Sequence, residues 1–456
     1  MKKLFFAALF FPFCAYAQSA DSAFIKTMSD EILANGKAYE NLRVLTKQIG
    51  GRLAGSPQMV KAENWGAETM RASGADTVYM QECMVPHWVR GGKDVASIVS
   101  IGGKKQGKSL AVLALGNSEG SGAKGVAADV VAVSSFEELE KRKNEVKGKI
   151  VFYNYPFNPT YIRPGQSYGE AGVYRYNGAS RAAKYGAIGV MVRSLSGGTN
   201  NFPHTGMMRY NDSFPKIPAV AVGLEDADYL WQTCTKIQHT IVSFTTNGHY
   251  LPDTIGHSVI AELKGSESPN QYITIGGHLD SWDVNEGAHD DGTGVVQTIE
   301  ILRMFKALRY VPKKTIRFVL FANEENGLRG GQKYAEVAKA KNETHVFALE
   351  SDGGGFTPRG FSFEMQNAQL EKIQPWVRLL IPYGVYELKT GGGGADVSPL
   401  NKTFNTPVSE LLPDNQRYFD LHHAKNDVFE AVNKRELLLG AVNMAALVYL
   451  VDKYGL

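Results

Sequence analysis

Residues Tyr272 to Gly294 read YITIGGHLDSWDVNEGAHDDGTG, and this stretch decides the fold. An apolar, β-branched run (Tyr272 to Ile275) leads into Gly276-Gly277, then His278 and Asp280, then a loop that ends in Asp290-Asp291-Gly-Thr-Gly. This is the pattern of a buried parallel strand that stops and delivers polar side chains at its carboxyl end, the edge where open α/β sheets place their ligands. Beyond Gly294 the apolar residues Val295, Val296, Ile299, Leu302 and Phe305 fall at helical spacing. A histidine and several carboxylates therefore occupy a strand–loop–helix hinge, a position suited to holding a metal.

Working outward, the C-terminal half repeats the pattern. Thr315–Ala322 is a β-rich run ending in Asn323-Glu324-Glu325, and His345–Leu349 is another ending in Glu350-Ser351-Asp352. Thr406–Leu412 is a further strand candidate, and the spacing predicts helices over 331–340, 370–380 and 436–451. Alternating strands and helices predict an α/β fold, a mostly parallel twisted sheet flanked by helices. The last helix is very apolar, but Asn443 interrupts it and it is short for a membrane span, so a core or interface helix is expected.

On the N-terminal side, residues 1–17 combine Lys2-Lys3, an apolar stretch and Ala15-Tyr16-Ala17 before Gln18, which reads as a secretory signal peptide. Residues 18–90 read mainly as helices, with a strand near Thr77–Val85. Residues 91–248 change to short strands and many glycines, and are expected to form a second, mostly β domain inserted into the first. The remaining 249–456 complete the larger domain. A chain of 456 residues exceeds one comfortable core, which agrees with two domains.

The formal charge is +3, of which Lys2 and Lys3 supply two units. Such a balance offers no footprint for nucleic acid or an anionic membrane. Once Cys14 departs with the leader, Cys83 and Cys234 remain, which fits one disulfide in a secreted or periplasmic protein and equally two buried thiols.

The chemistry lies in where the acidic groups fall. Three strands end in His278 and Asp280, in Glu324-Glu325 and in Asp352, and a fourth segment gives His422-His423 followed by Asp427. One carboxylate after a strand is commonly a helix cap; four such endings together with Asp290 are too costly to bury without cations. Histidine nitrogen with carboxylate oxygen and no cysteine suits catalytic zinc.

The elements H-x-D, D-D-G-x-G, E-E, E-S-D and H-x-x-x-D, in this order, resemble the co-catalytic di-zinc exopeptidases that include bacterial leucyl aminopeptidases and glutamate carboxypeptidases. Gly51 to Ser56, Val85 to Gly91, His204-Thr205-Gly206, Gly277 to Asp283 and Tyr418 to His423 extend the likeness over nearly the whole mature chain, most closely to the plasma glutamate carboxypeptidase branch. The inserted region likewise resembles a protease-associated domain. The resemblance implies two Zn2+ per chain, one held by His278 and Asp352, the other by Glu325 and His423, with Asp290 between them. It implies Glu324 as general base toward a metal-bridging water, Asp280 as acceptor of the second ring N–H of His278, a non-proline cis bond at Asp290–Asp291, and a homodimer. Asp291 becomes a helix-start or supporting residue, and His422, His204, His87 and His289 packing or substrate-lining ones.

The implied substrate is a dipeptide or short peptide, with an aminopeptidase acting on longer peptides as the alternative. Asp396, after the glycine run 391–394, would suit a substrate ammonium, and Arg417 or His204 a carboxylate. A non-enzymatic binding module of the transferrin-receptor kind should have lost ligands, whereas this chain keeps all five and Glu324. A single-zinc cyclising enzyme of the glutaminyl cyclase type would not need the full carboxylate set.

Overall fold

The computed structural model describes residues 11–456. The leader reading falls largely on residues 1–10, outside the described residues; the first helix, Phe11–Asn35, spans its end.

Two eight-stranded sheets organise the chain. In spatial order, the larger contains Thr77–Val89, His249–Leu263, Lys314–Phe321, Ser268–His278, Thr344–Glu350, Val408–Pro413, Pro358–Glu364 and Glu387–Thr390. Its centre is parallel: Ser268–His278 pairs in parallel with the Lys314 and Thr344 strands on its two sides, and the latter with Val408–Pro413. Three of the seven pairings, toward the flanks, are antiparallel, and the other four are parallel, so the sheet is mixed with the expected parallel majority. The reason is topological. Thr77–Val89 carries the chain out toward the inserted region and His249–Leu263 brings it back, and two strands that leave and return at one place must run in opposite directions.

The second sheet lies wholly within residues 95–245. It is mixed too, with Val126–Val133, Ile150–Tyr153, Gly189–Arg193 and Ala219–Val222 parallel at its centre. Helices Pro164–Ala183 and Leu224–Lys236 pack beside it, so this unit is α/β and not mostly β. The 20-residue helix Pro164–Ala183 escapes a pattern reading because Gly165, Gly169, Gly172 and Gly178 dilute its helix propensity; Pro164 at its first turn marks the start.

The main core lies between the larger sheet and helices Thr293–Ala307 and Lys434–Tyr454. Phe318 and Phe347 are fully buried there, each contributing roughly 1.5–3 kcal/mol. Leu437 through Val451, Leu439 excepted, are buried among them, which makes the last helix a core helix. The helix expected over 370–380 breaks at a 3-10 turn, Gln374–Trp376, because Pro375 lacks the N–H that would continue it. Cys83 and Cys234 are both free thiols.

Candidate metal centre

Sheet register brings the acidic groups together. His278 pairs with Phe321, so Glu324 and Glu325 follow a few residues beyond the same edge. Gly276 pairs with Glu350, which sets Asp352 two residues past its own strand position. The hinge after the His278 strand tolerates no side chain at two points. A Cβ on Gly277 or Gly294 would collide with the Asp291 carboxylate, which sits between them. Asp291 accepts from the backbone N–H of His278 at 3.1 Å and of Gly294 at 2.9 Å, tying strand end to helix start.

Asp290 occupies the middle. One of its oxygens lies 3.2 Å from His278 Nε2 and the other 3.2 Å from His423 Nε2. Asp352 lies 3.4 Å from His278 Nε2, and Glu325 lies 3.0 Å from His423 Nε2. The five residues implied as ligands therefore meet, in two groups that share Asp290. The Asp290–Asp291 peptide is cis. Asp427 fixes this loop by accepting from the backbone N–H of His289 at 2.7 Å and of Asp290 at 3.2 Å. Asn323, next to the two glutamates, and His423 itself both adopt left-handed backbone, at φ 58° and 61°.

The electrostatics are those of a site built around cations. Burial pushes the Glu324 carboxyl well above its usual range, and the Asp352 and Glu325 charges add to the push. Burial and the Asp290 charge raise Glu325 to about 7. Burial opposes the charged state of Asp290, yet the His278 and His423 imidazoles beside it hold its carboxyl well below normal. His278 Nε2, Asp290 Oδ2, Glu325 Oε1 and Asp352 Oδ1 are all buried, with no hydrogen-bond partner among the described residues. Unpartnered acceptors and ring nitrogens crowded within 3.0–3.4 Å are the donor set of a divalent zinc site, and the residues fit that group.

The ring tautomers follow from carbonyl acceptors. His278 Nδ1 donates to the Asp280 carbonyl at 2.9 Å and His423 Nδ1 to the Thr205 carbonyl at 3.2 Å, so each Nε2 presents a lone pair to the cluster. His422 also places a ring nitrogen near Asp290, at 3.6 Å, and could join Asp290 and His423 in a ligand triplet. His423 is the better ligand because it alone of the two also meets Glu325; His422 stacks on it with ring centroids 3.5 Å apart.

Asp280 differs from its expected role. Its carboxylate is 3.7 Å from His278 Nδ1, which bonds its backbone carbonyl instead. The carboxylate accepts from the backbone N–H of Glu324 at 2.9 Å and of Glu325 at 3.2 Å, clamping the turn that carries both glutamates. The chain doubles back after His278, so the nearer carbonyl captures the imidazole and frees the carboxylate for the adjoining strand.

A cavity of about 300 Å³ opens over the cluster, lined also by Tyr168, Arg175, Met207, Leu328, Tyr418 and Phe419. Asp396 is buried outside that lining, and Arg417 is exposed and outside it as well. His204 lies under the cluster, its Nδ1 2.7 Å from the His422 carbonyl, and burial lowers its pKa to about 4. His289 stacks on Phe356. Sequence reasoning missed Arg175 and Tyr168, and missed what Arg52 does. Arg52 is fully buried and bonds the carbonyls of Glu286 and Gly287 at 2.9 and 3.1 Å, pinning the loop before Asp290. The motif containing Arg52 was visible, but nothing in its spacing assigns the arginine a partner.

Residues 258–448 match peptidase family M28. Carboxypeptidase Q from Bos taurus is 32% identical over 92% of this chain and 86% of its own, and that from Homo sapiens is 33% identical over the same shares. The solved peptidase M28 precursor from Shewanella amazonensis superposes with a TM-score of 0.90 at 32% identity, covering 95% of this chain and 97% of that one. A zinc aminopeptidase from Bacillus subtilis, at 20% identity and a TM-score of 0.65 over 90% of this chain and 94% of its own, shares the fold. Whole-length likeness, together with the convergence of His278, Asp290, Glu325, Asp352 and His423 on one strand edge, places this chain in peptidase family M28.

Proposed function

We propose that this peptidase is a secreted or periplasmic di-zinc exopeptidase that hydrolyses dipeptides or short peptides. The observation that carries the proposal is the set of buried, unpartnered nitrogen and oxygen atoms gathered on both sides of Asp290. His278 and Asp352 would hold one zinc, Glu325 and His423 the other, and Asp290 would contact both. Zinc bound there supplies Lewis acidity, which lowers the pKa of a water and polarises the peptide carbonyl. Glu324, half-buried on the cavity wall, takes the proton of the attacking water and returns it to the leaving amine. Asp280 keeps Glu324 and Glu325 in place through their backbone N–H groups.

A cavity of about 300 Å³ stands at the small end of the range for ligand pockets, which favours a short substrate over a polypeptide chain. The unit at 95–245 fits the role of a protease-associated domain, because it closes one side of that cavity with Tyr168 and Arg175. A homodimer belongs to the same proposal. The test is elemental analysis of the purified chain followed by hydrolysis of free, amino-blocked and carboxyl-blocked dipeptides. About two zinc per chain and chelator-sensitive cleavage of free dipeptides are expected. Cleavage of doubly blocked peptides at internal bonds refutes the exopeptidase assignment, and strong cleavage of long peptides from the amino end favours the aminopeptidase alternative.

A further inference from the structure

A second cavity, of about 730 Å³, is more than twice the size of the one over the metal cluster and shares no lining residue with it. Its walls belong wholly to the inserted unit. They are helix Phe136–Lys141, the last turns of Pro164–Ala183 with Lys184-Tyr185 behind them, and the loop from Arg209 to Phe214. The loop is held in shape by its own bonds. The Arg209 N–H donates to the Tyr176 carbonyl at 3.0 Å, the Asn211 N–H to Ser180 Oγ at 2.8 Å, and the Phe214 N–H to the Asn211 carbonyl at 3.0 Å. The Tyr210 hydroxyl donates to the Ile217 carbonyl at 2.6 Å, which fixes its ring. The volume is that of a small-molecule pocket, and walls formed in advance spare a ligand the cost of ordering them.

Charge and rings indicate what such a pocket holds. Arg181 and Lys184 reach it from the helix end and Arg209 from the loop, and none of the three ion-pairs with a carboxylate among the described residues. The Arg181 guanidinium lies 4.5 Å from the Phe136 ring centroid and the Lys184 ammonium 5.0 Å from that of Tyr185. Of the two carboxylates in the lining, Glu140 is answered by Lys143 at 2.8 Å and by the Tyr185 hydroxyl, and Asp212 is exposed. A positive excess therefore faces the cavity. Tyr176 and Phe214 add two half-buried rings that pair with no other ring or cation among the described residues. The backbone donors of the loop are already spent on the bonds above. Phosphate sites draw on several free backbone N–H groups, whereas one planar guanidinium satisfies both oxygens of a carboxylate.

We propose that this cavity is a second ligand site, built for an aromatic carboxylate. Arg181 and Arg209 bind the carboxylate, and the aromatic ring of the ligand rests against Tyr176 and Phe214. The proposal stands apart from the di-zinc reading, since the two cavities have no residue in common.

Calorimetric titration of the full-length, zinc-loaded protein with N-acetylphenylalanine tests it, beside N-acetylphenylalanine amide, N-acetylglycine and phenyl phosphate. The acid should bind about tenfold or more tighter than its amide, the worth of a charge-assisted hydrogen bond, and tighter than N-acetylglycine, which has no ring. Arg181→Ala and Arg209→Ala should each weaken the acid about tenfold while leaving the amide and the zinc content unchanged; Arg181→Lys should restore part of the loss. If Arg181→Ala folds poorly because Phe136 loses its cover, Arg209→Ala carries the test alone. Binding of the acid that is unchanged in these variants, equal binding of acid and amide, or phenyl phosphate binding tighter than the acid overturns the inference.

Discussion

Replacing Asp280 by asparagine tests whether its carboxylate acts on the glutamate turn or on His278. The side chain is fully buried and accepts two backbone N–H groups, from Glu324 at 2.9 Å and Glu325 at 3.2 Å. Asparagine has the same shape but one acceptor, so its NH2 must face one of those N–H donors. One charge-assisted bond is lost, about 1.5–3 kcal/mol, and a buried donor is left unsatisfied. At 1.4 kcal/mol per factor of ten, the turn that presents Glu325 should be populated correctly about 10–150-fold less. Zinc affinity on the Glu325–His423 side should weaken by that factor, in line with the 10–100-fold typical of supporting residues. Competition against a chromophoric chelator gives the affinity, and double-mutant cycles locate the effect. Asp280→Asn should couple with Glu325→Gln and add independently with Asp352→Asn. Zinc affinity within about threefold of wild type, or coupling to Asp352 and not Glu325, refutes the reasoning.

Glu324→Gln should keep its zinc while kcat falls about 10²–10⁴-fold, read by elemental analysis alongside steady-state rates. His423→Ala should lower bound zinc by about half, whereas His422→Ala should retain it, because only His423 meets both Glu325 and Asp290. Far from the site, hydrogen bonds from His345 and Arg317 overcome burial and hold the Glu343 carboxyl at about 2, below its usual 4.5. Its stabilising contribution is therefore complete above about pH 4.5 and is lost as pH falls toward 2. Urea midpoints measured across that range should fall with acid in wild type and flatten in Glu343→Gln.

Much of the site was legible because the proposed metal-ligating residues follow strands whose hydrophobic runs are unmistakable. His278, Glu325 and Asp352 each end such a run, and register alone places them side by side. The family's H-x-x-x-D pattern, counted back from Asp427, pointed to His423 over its neighbour, although the two rings stack and both approach Asp290. The Asp280 contact was not legible, since whether a carbonyl or a carboxylate takes the imidazole proton depends on how the chain turns after His278. Arg175 was hidden for another reason. Its helix is glycine-rich and lies more than a hundred residues before Asp290 and the other acidic residues of the cavity, so no local pattern points to them. The antiparallel pair Thr77–Val89 and His249–Leu263 was obscured likewise, because it follows from where the chain exits and re-enters.

Thr205 and His423 are tied in both directions: the amide of Thr205 donates to the His423 carbonyl at 3.0 Å, and the ring of His423 donates back to the Thr205 carbonyl at 3.2 Å. Two stretches more than two hundred residues apart thus finish one imidazole together. Excising the inserted unit would strip His423 of its orientation as well as removing a wall, so truncated C-terminal halves should make poor enzymes even when they fold. Sequence drift in the strap at 204–206 would be felt at the His423 imidazole, which makes this short segment a sensitive place to retune the site without touching any of the proposed ligands.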